Sequence, residues 1–453
     1  MEKTISRNAK MITLMCTLVY FASYLTRINF AVMMVKICSD MNAAKTQLAV
    51  VVTGLTIVYG VGQVISGFLG DKFKPGHMLS AGLALASVCN IAMFFCKAIP
   101  VMTVVWCING FAQSMLWPPI VRIMSTYLAD HEYSYAAVRV SWGSSIATIV
   151  LYTCCPLLLG FMSWRAIMLV CAAVGILVMI LWTVLNPRYL VAPSATVNID
   201  KSAEQKPATV PIPKFVYLPI VLIMLGIILQ GTLRDGVTNW MPSYLSETFN
   251  LPEEESIIST VIQAVFSILS FWCFDFLHRK VLRNEVTCAS VIFGGSVLCA
   301  AVLYFVNVYT SSAAVSLILM AVIIACMHGI NLMLISVVPK RFLKSGKVAT
   351  YSGILNACTY IGASIATYGF AAIAENHGWN ATILTWIIIS AAGLLVCLIA
   401  APMWKRFRRE YADKKKSDVS SDTSFCFLIL FQLTTTLHGD IIVLKKLCYR
   451  GGI

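Results

Sequence analysis

Arg27 and Arg234 are the residues with the most chemistry to offer. Each lies about two-thirds of the way along an apolar run long enough to cross a membrane, one starting near Met11 and the other near Phe215. An arginine at mid-bilayer costs about 2.5–3.5 kcal/mol even on insertion scales, so it is retained where it faces a cavity or an ion path. Tyr20 and Tyr24 precede Arg27 at positions i and i+4 of a series that Arg27 completes at i+7, which puts all three on one helix face. Two phenols and a guanidinium fork suit a bound anion, because the fork meets phosphate or carboxylate oxygens in pairs. Interfacial tyrosines beside a structural arginine bonded to carbonyls are the competing reading. The arginine pair predicts an anion site.

Other residues stand at helix ends or breaks. In Gln113-Ser-Met-Leu-Trp117-Pro118-Pro119 the two prolines deny amide donors and crowd the carbonyls of Ser114 and Met115, so the helix must bend. That bend either aims Trp117 and Gln113 into a cavity or is structural alone. Asp71 closes an apolar run and is followed by Lys72 and Lys74; Asp275, followed by Arg279 and Lys280, repeats the arrangement. A carboxylate at a helix end with cations beside it suits a charge latch. His328 is the only histidine deep in a predicted helix, as a ligand or as a neutral ring bonded to a carbonyl.

The elements that must position these residues are membrane helices. Hydrophobic residues make up 59% and charged residues 12% of the 453, with a mean hydropathy of +0.81; no soluble core could hide that surface. Apolar stretches of roughly 20 residues, enough for a hydrocarbon core of about 30 Å, recur about twelve times. The first half gives Met11–Lys36, Gln47–Gly70, His77–Cys96, Pro100–Tyr127, Tyr135–Gly160 and Ile167–Leu185. The second gives Phe215–Leu245, Ser256–Leu277, Val286–Val306, Ala313–Val338, Val348–Ala372 and Thr382–Trp404. Helices are expected throughout, since the runs do not alternate as barrel strands do.

Arg27 maps to Arg234 and Asp71 to Asp275 at nearly the same offset, so the chain reads as two six-helix bundles, 1–185 and 215–404. A polar linker, 186–214, joins them, and a basic, disordered tail, 405–453, follows. Cations gather in the loops on the side of the termini, whereas Glu253, Glu254 and Glu255 fall on the other; both termini are expected in the cytoplasm of a multi-pass plasma (inner) membrane protein. The net charge of +14 then reflects topology, not a nucleic-acid partner. The sixteen cysteines contain no Cys-x-x-Cys and no Walker-type sequence is present. No metal, cofactor, ATP-driven step or enzyme activity is expected.

The motifs together resemble one family. Gly67-Phe-Leu-Gly-Asp71-Lys72-Phe-Lys74 is similar to the cytoplasmic-loop signature of the major facilitator superfamily. Tyr-Leu-Thr-Arg27-Ile-Asn29-Phe30, Gln113 to Pro119, and Arg234-Asp235-Gly236-Val-Thr-Asn239-Trp240-Met-Pro242-Ser-Tyr244 resemble its organophosphate:phosphate antiporter family, in the right order. So does the stretch from Pro339-Lys340 through Tyr360 to Gly378-Trp379, and the likeness runs to about Trp404. The resemblance implies twelve transmembrane helices and exchange of a phosphorylated organic anion, of the glycerol-phosphate or hexose-phosphate kind, for inorganic phosphate. It makes Arg27 and Arg234 the phosphate-gripping pair, and adds Gln63, Trp142 and Tyr360 to the candidate site.

The chain departs from that pattern where Gln63 stands for a common lysine, Ile28 for another, and Ile146 for a histidine four residues beyond Trp142. Fewer cations in the cavity favour the alternative of a proton-coupled symporter for a carboxylated anion, with Asp235 or His328 as proton carrier. A transporter-like sensor acting through the tail is a third reading. The expected partners are the lipid bilayer, a small anionic solute and inorganic phosphate, with the protein a monomer.

Overall fold

The structure, a computed structural model, describes residues 4–190, 210–250, 253–310 and 312–412. The centre of the linker and most of the tail lie outside these residues. Met1–Lys405 packs as one compact unit, and Arg406–Ile453 is a separate one.

Local signals set the helix limits. The helix α1 (Arg7–Val32) starts at Ser6, whose Oγ accepts the Ala9 N–H at 3.2 Å, satisfying one of the donors a helix start leaves unpaired. It stops at Met33 and a short α2 (Met34–Met41) follows, so the expected first span, drawn to Lys36, is really two helices. Next come α3 (Lys45–Lys72) and α4 (Pro75–Phe95). The fourth crossing breaks into α5 (Ile99–Ser114) and α6 (Trp117–Tyr127). Pro118 and Pro119 occupy the first turn of α6, where their missing N–H groups have no partner to lose. The half closes with α7 (Asp130–Leu159) and α8 (Trp164–Tyr189).

In the second half α9 (Tyr217–Phe249), α10 (Glu253–Leu277) and α11 (Glu285–Tyr309) precede α12 (Ala313–Asn331). Beyond Asn331 the coil widens to π-type turns over Leu332–Val337 and tightens to a 3₁₀ stretch over Val338–Ser345. The last helix, α13 (Val348–Phe407), runs 60 residues, about 90 Å of helix at 1.5 Å per residue and so far more than one crossing. It turns at Gly378, where φ is 76° and ψ 177°, a conformation open essentially to glycine alone.

Eleven helical segments among the described residues are long and apolar enough to span a membrane. The expected twelfth, the part of α13 before Gly369, is helical but falls short of that hydropathy, since it carries Asn356, Thr359, Tyr360 and Ser364. Apolar side chains such as Val184, Leu298 and Ile399 stay exposed on the outside, as they do where the solvent is lipid.

Within the first half α1 packs on α7, α3 on α5 and α4 on α8; in the second α12 packs on α9, α10 and α11. The halves meet along α7 and α10 and where α3 passes α13. There a Cβ added at Gly353 would stand 2.2 Å from the Gln63 carbonyl oxygen, so only glycine permits the approach.

Candidate functional site

A polar knot braces the face of α1 opposite Arg27. Asn90 Nδ2 and Asn109 Nδ2 each donate to the Thr26 carbonyl at 2.9 Å, and Asn29 Nδ2 donates to Asn90 Oδ1 at 2.7 Å. Gln113 Nε2 donates to Thr26 Oγ1 at 2.9 Å while its Oε1 accepts from Ser23 Oγ at 2.7 Å. All are buried, where an unpaired polar group costs about 1–3 kcal/mol and a paired one adds rigidity. The knot ties α1 to α4 and α5.

On the other side of α1 the tyrosine stripe takes shape. Tyr20 and Tyr24 meet edge to face at 5.2 Å, and the Arg27 guanidinium lies 4.2 Å from the Tyr24 ring centre and 4.9 Å from that of Tyr59 on α3. Such contacts are each worth about 0.5–2 kcal/mol, more as water is excluded. Tyr59 in turn touches Tyr360 of α13 at 4.7 Å, and Tyr20 touches Trp117 at 4.9 Å. Aromatic contacts therefore carry Arg27 across to the second half.

Arg234 approaches from α9. Its Nε donates to Asp235 Oδ1 at 2.6 Å and its Nη2 to Asp235 Oδ2 at 3.0 Å, so one edge of the guanidinium is held by the neighbouring carboxylate. Arg234 shares the lining of one cavity with Tyr24, Tyr59 and Tyr360. The two arginines, one from each half, thus stand about the same group of tyrosines, Arg27 against Tyr24 and Tyr59 and Arg234 in the wall they share.

A cavity opens between the halves at this point. Its walls are Tyr20, Tyr24, Tyr59, Trp117, Ser141 and Ser144 from the first half, with Arg234, Phe271, His328, Asn331, Asn356 and Tyr360 from the second. Arg27 stands behind this wall, against Tyr24 and Tyr59. The cavity is small, about 40 Å³, against the roughly 10–15 Å³ that a single water needs on that measure. A sugar phosphate enters only if the halves part or side chains turn. Trp117 Nε1 is buried and unpaired, leaving a donor at the wall. Asn331 sits where α12 passes into its π-type turns, a distortion common at functional sites.

The sequence-predicted site residues divide. Tyr20, Tyr24, Trp117, Arg234, His328 and Tyr360 line the cavity. His328 rests against Phe271 at 5.6 Å. Gln113 is spent on the knot behind Arg27. Gln63 is buried beside Gly353, with neither amide atom paired, and does not line the cavity. Trp142 points away, its Nε1 donating to the Ile268 carbonyl at 3.1 Å, while Ser141 and Ser144 beside it face in. Tyr59, Ser141, Ser144, Asn331 and Asn356 were missed; polar residues inside apolar runs are the signal that marks them.

The latch residues lie at one end of the interface between the halves. Asp71, at the end of α3, accepts the Ala349 N–H at 2.9 Å and the Thr350 N–H at 2.8 Å. Its carboxylate therefore caps the start of α13, pairing orphan donors and meeting the positive end of the helix dipole. Lys72 is exposed and makes no ion pair among the described residues. The cation beside the loop is Arg122, which donates to the carbonyls of Gly70 and Phe73. In the second half Asp275 pairs with Arg279 at 2.7 Å and feels the charge of Arg139 on α7. Two further links cross at the same end: Lys340 to Asp130 at 2.6 Å, and the Tyr133 hydroxyl to the Ser336 carbonyl.

Comparison with known proteins bears on what this arrangement does. The model of the Major Facilitator Superfamily matches residues 16–367. The glycerol-3-phosphate transporter of Bacillus subtilis (strain 168) is 23% identical, over 86% of this chain and 91% of its own. A probable hexose phosphate transport protein of Chlamydia muridarum is 20% identical, over 85% of this chain and 88% of its own. Among solved structures, the proton:xylose symporter XylE matches with a TM-score of 0.69 at 12% identity, over 88% of this chain and 95% of that one. At that identity the likeness is one of fold.

Proposed function

The chain belongs to the Major Facilitator Superfamily, and on that premise we propose that it exchanges a phosphorylated organic anion for inorganic phosphate by alternating access. The observation that carries this reading is that Arg234 lines a cavity together with Tyr24, Tyr59 and Tyr360, while Arg27, from the opposite half, lies against the rings of Tyr24 and Tyr59. An anion between two such groups binds both halves at once and draws them together, so the loaded carrier closes more readily than the empty one. Relatives named for glycerol 3-phosphate and hexose phosphate support the solute class.

With both termini cytoplasmic, as the distribution of cations favours, the links through Asp71, Lys340 and Tyr133 close the inner side. Opening that side requires Asp71 to leave the start of α13 and Lys340 to leave Asp130. The opposite motion exposes the cavity outward. Proton-coupled symport is the second reading, motivated by Asp235 paired with Arg234 and by His328 lining the same cavity as Arg234.

Purified protein in liposomes containing phosphate tests the class. Uptake of labelled phosphate should be inhibited by glycerol 3-phosphate or a hexose 6-phosphate and left unaffected by simple carboxylates. Inhibition by carboxylates alone would move the assignment to the symporter reading.

A further inference from the structure

We propose that Asp235 sets the charge of the transported anion, tuning the site toward anions that carry a single negative charge. The proposal rests on the anion-site reading above and concerns which anion that site prefers. One edge of the Arg234 guanidinium, Nε with Nη2, is taken by the adjacent Asp235 carboxylate, at 2.6 and 3.0 Å, so the charge it offers an anion is already partly balanced while its Nη1 end keeps its donors. The pair is largely enclosed, with side chains 15% and 26% exposed. Among the described residues no carboxylate lines the cavity itself, and Asp235 acts on it through its pair with Arg234, which does.

The charge count follows directly. Arg27 and Arg234 supply two positive charges and Asp235 removes one, leaving a net of one with His328 neutral. Attraction to the site grows in proportion to the charge of the anion. The cost of taking an anion out of water grows with the square of that charge. Around a net charge of one, a singly charged anion is neutralised and a doubly charged one leaves a bare negative charge in the membrane interior. Without Asp235 the site would carry two positive charges, and a dianion would be the matched guest.

Two ligands of one shape separate these cases. Methanesulfonate and methyl phosphate both present three oxygens on a tetrahedral centre. At pH 8 the first carries one charge and the second two, since a phosphate monoester loses its second proton near pH 6. The same pH keeps an ordinary histidine neutral, its unperturbed pKa being about 6.5. Calorimetric titration of the purified full-length protein with each ligand gives the comparison.

In the natural protein methanesulfonate should bind at least as tightly as methyl phosphate. Asp235→Asn keeps an acceptor oxygen beside Arg234 but removes the negative charge, adding a unit of positive potential that a dianion feels twice. Methyl phosphate affinity should therefore rise by roughly tenfold or more, and by more than methanesulfonate affinity does. Tighter binding of methyl phosphate by the natural protein, or an equal gain for both ligands in Asp235→Asn, would overturn the proposal. The first outcome needs no variant and stands even if Asp235→Asn does not fold. Binding of neither ligand to the natural protein would remove the anion site itself, a different failure from loss of charge preference.

Discussion

Arg27 and Arg234 differ in how they are held, and the difference sets what their replacement should do. Arg27 lies against two tyrosine rings, whereas Arg234 is chelated by Asp235. Lysine keeps the charge at either place but loses the planar fork and stacks less well. Arg27→Lys and Arg234→Lys should each weaken phosphate binding by about 2 kcal/mol, the scale of a charged hydrogen bond lost. The double variant should lose much less than the sum, since the second change acts on a site already disabled. Titration of the two single variants and the double variant with phosphate checks this; additive losses would mean the arginines do not share one anion. The stripe of Tyr20, Tyr24 and Arg27 was legible in the sequence because helical spacing alone puts it on one face. Tyr59, Asn331 and Asn356 were not, because which polar residues meet depends on tilts that join distant helices. Gln113 illustrates the limit from the other direction: a polar side chain in an apolar run marks a special place, yet here it braces the helix behind the site. The bond from Arg234 to its own neighbour was equally hidden, since adjacent helical residues do not ordinarily face each other.

At the scale of elements, the contact between α3 and α13 decides which way the molecule opens. Asp71 holds the first turn of α13 with both carboxylate oxygens, and the passage of Gly353 over Gln63 allows the two backbones to approach. Asp71→Asn retains one acceptor oxygen and removes the charge, so the cap should weaken by about 1 kcal/mol and the closed population should fall by several-fold. Spin labels at the exposed positions Lys74 and Lys347, on a background without other reactive thiols, should then show a larger fraction of long separations than in the unsubstituted protein. An unchanged distribution would mean that Asp71 is not part of the gate. Hydropathy made the crossings legible, and the Trp-Pro-Pro sequence made the break between α5 and α6 legible through the missing amides. The bend at Gly378 falls in the gap expected between Val348–Ala372 and Thr382–Trp404, whereas the break at Met33 was not legible, since no run of breakers marks it. The first part of α13 is the least apolar crossing for a related reason: it gives up lipid-like composition to turn Asn356 and Tyr360 inward.

For the whole molecule, the two halves form a clamp with charged groups at the centre and a set of latches at one end. The class was legible in composition, and the recurrence of Arg27 as Arg234 is what suggested a twofold organisation. Which end is shut depends on contacts between residues such as Asp71 and Thr350, far apart in the chain. The account makes binding of an anion the event that allows the clamp to change sides, so a return step also needs an anion. Liposomes carrying the protein, with and without phosphate inside, measure this directly when labelled phosphate is supplied outside and a protonophore is added or withheld. Exchange predicts rapid uptake only into phosphate-loaded vesicles, insensitive to the protonophore. Accumulation in vesicles without internal anion, abolished by the protonophore, would contradict it.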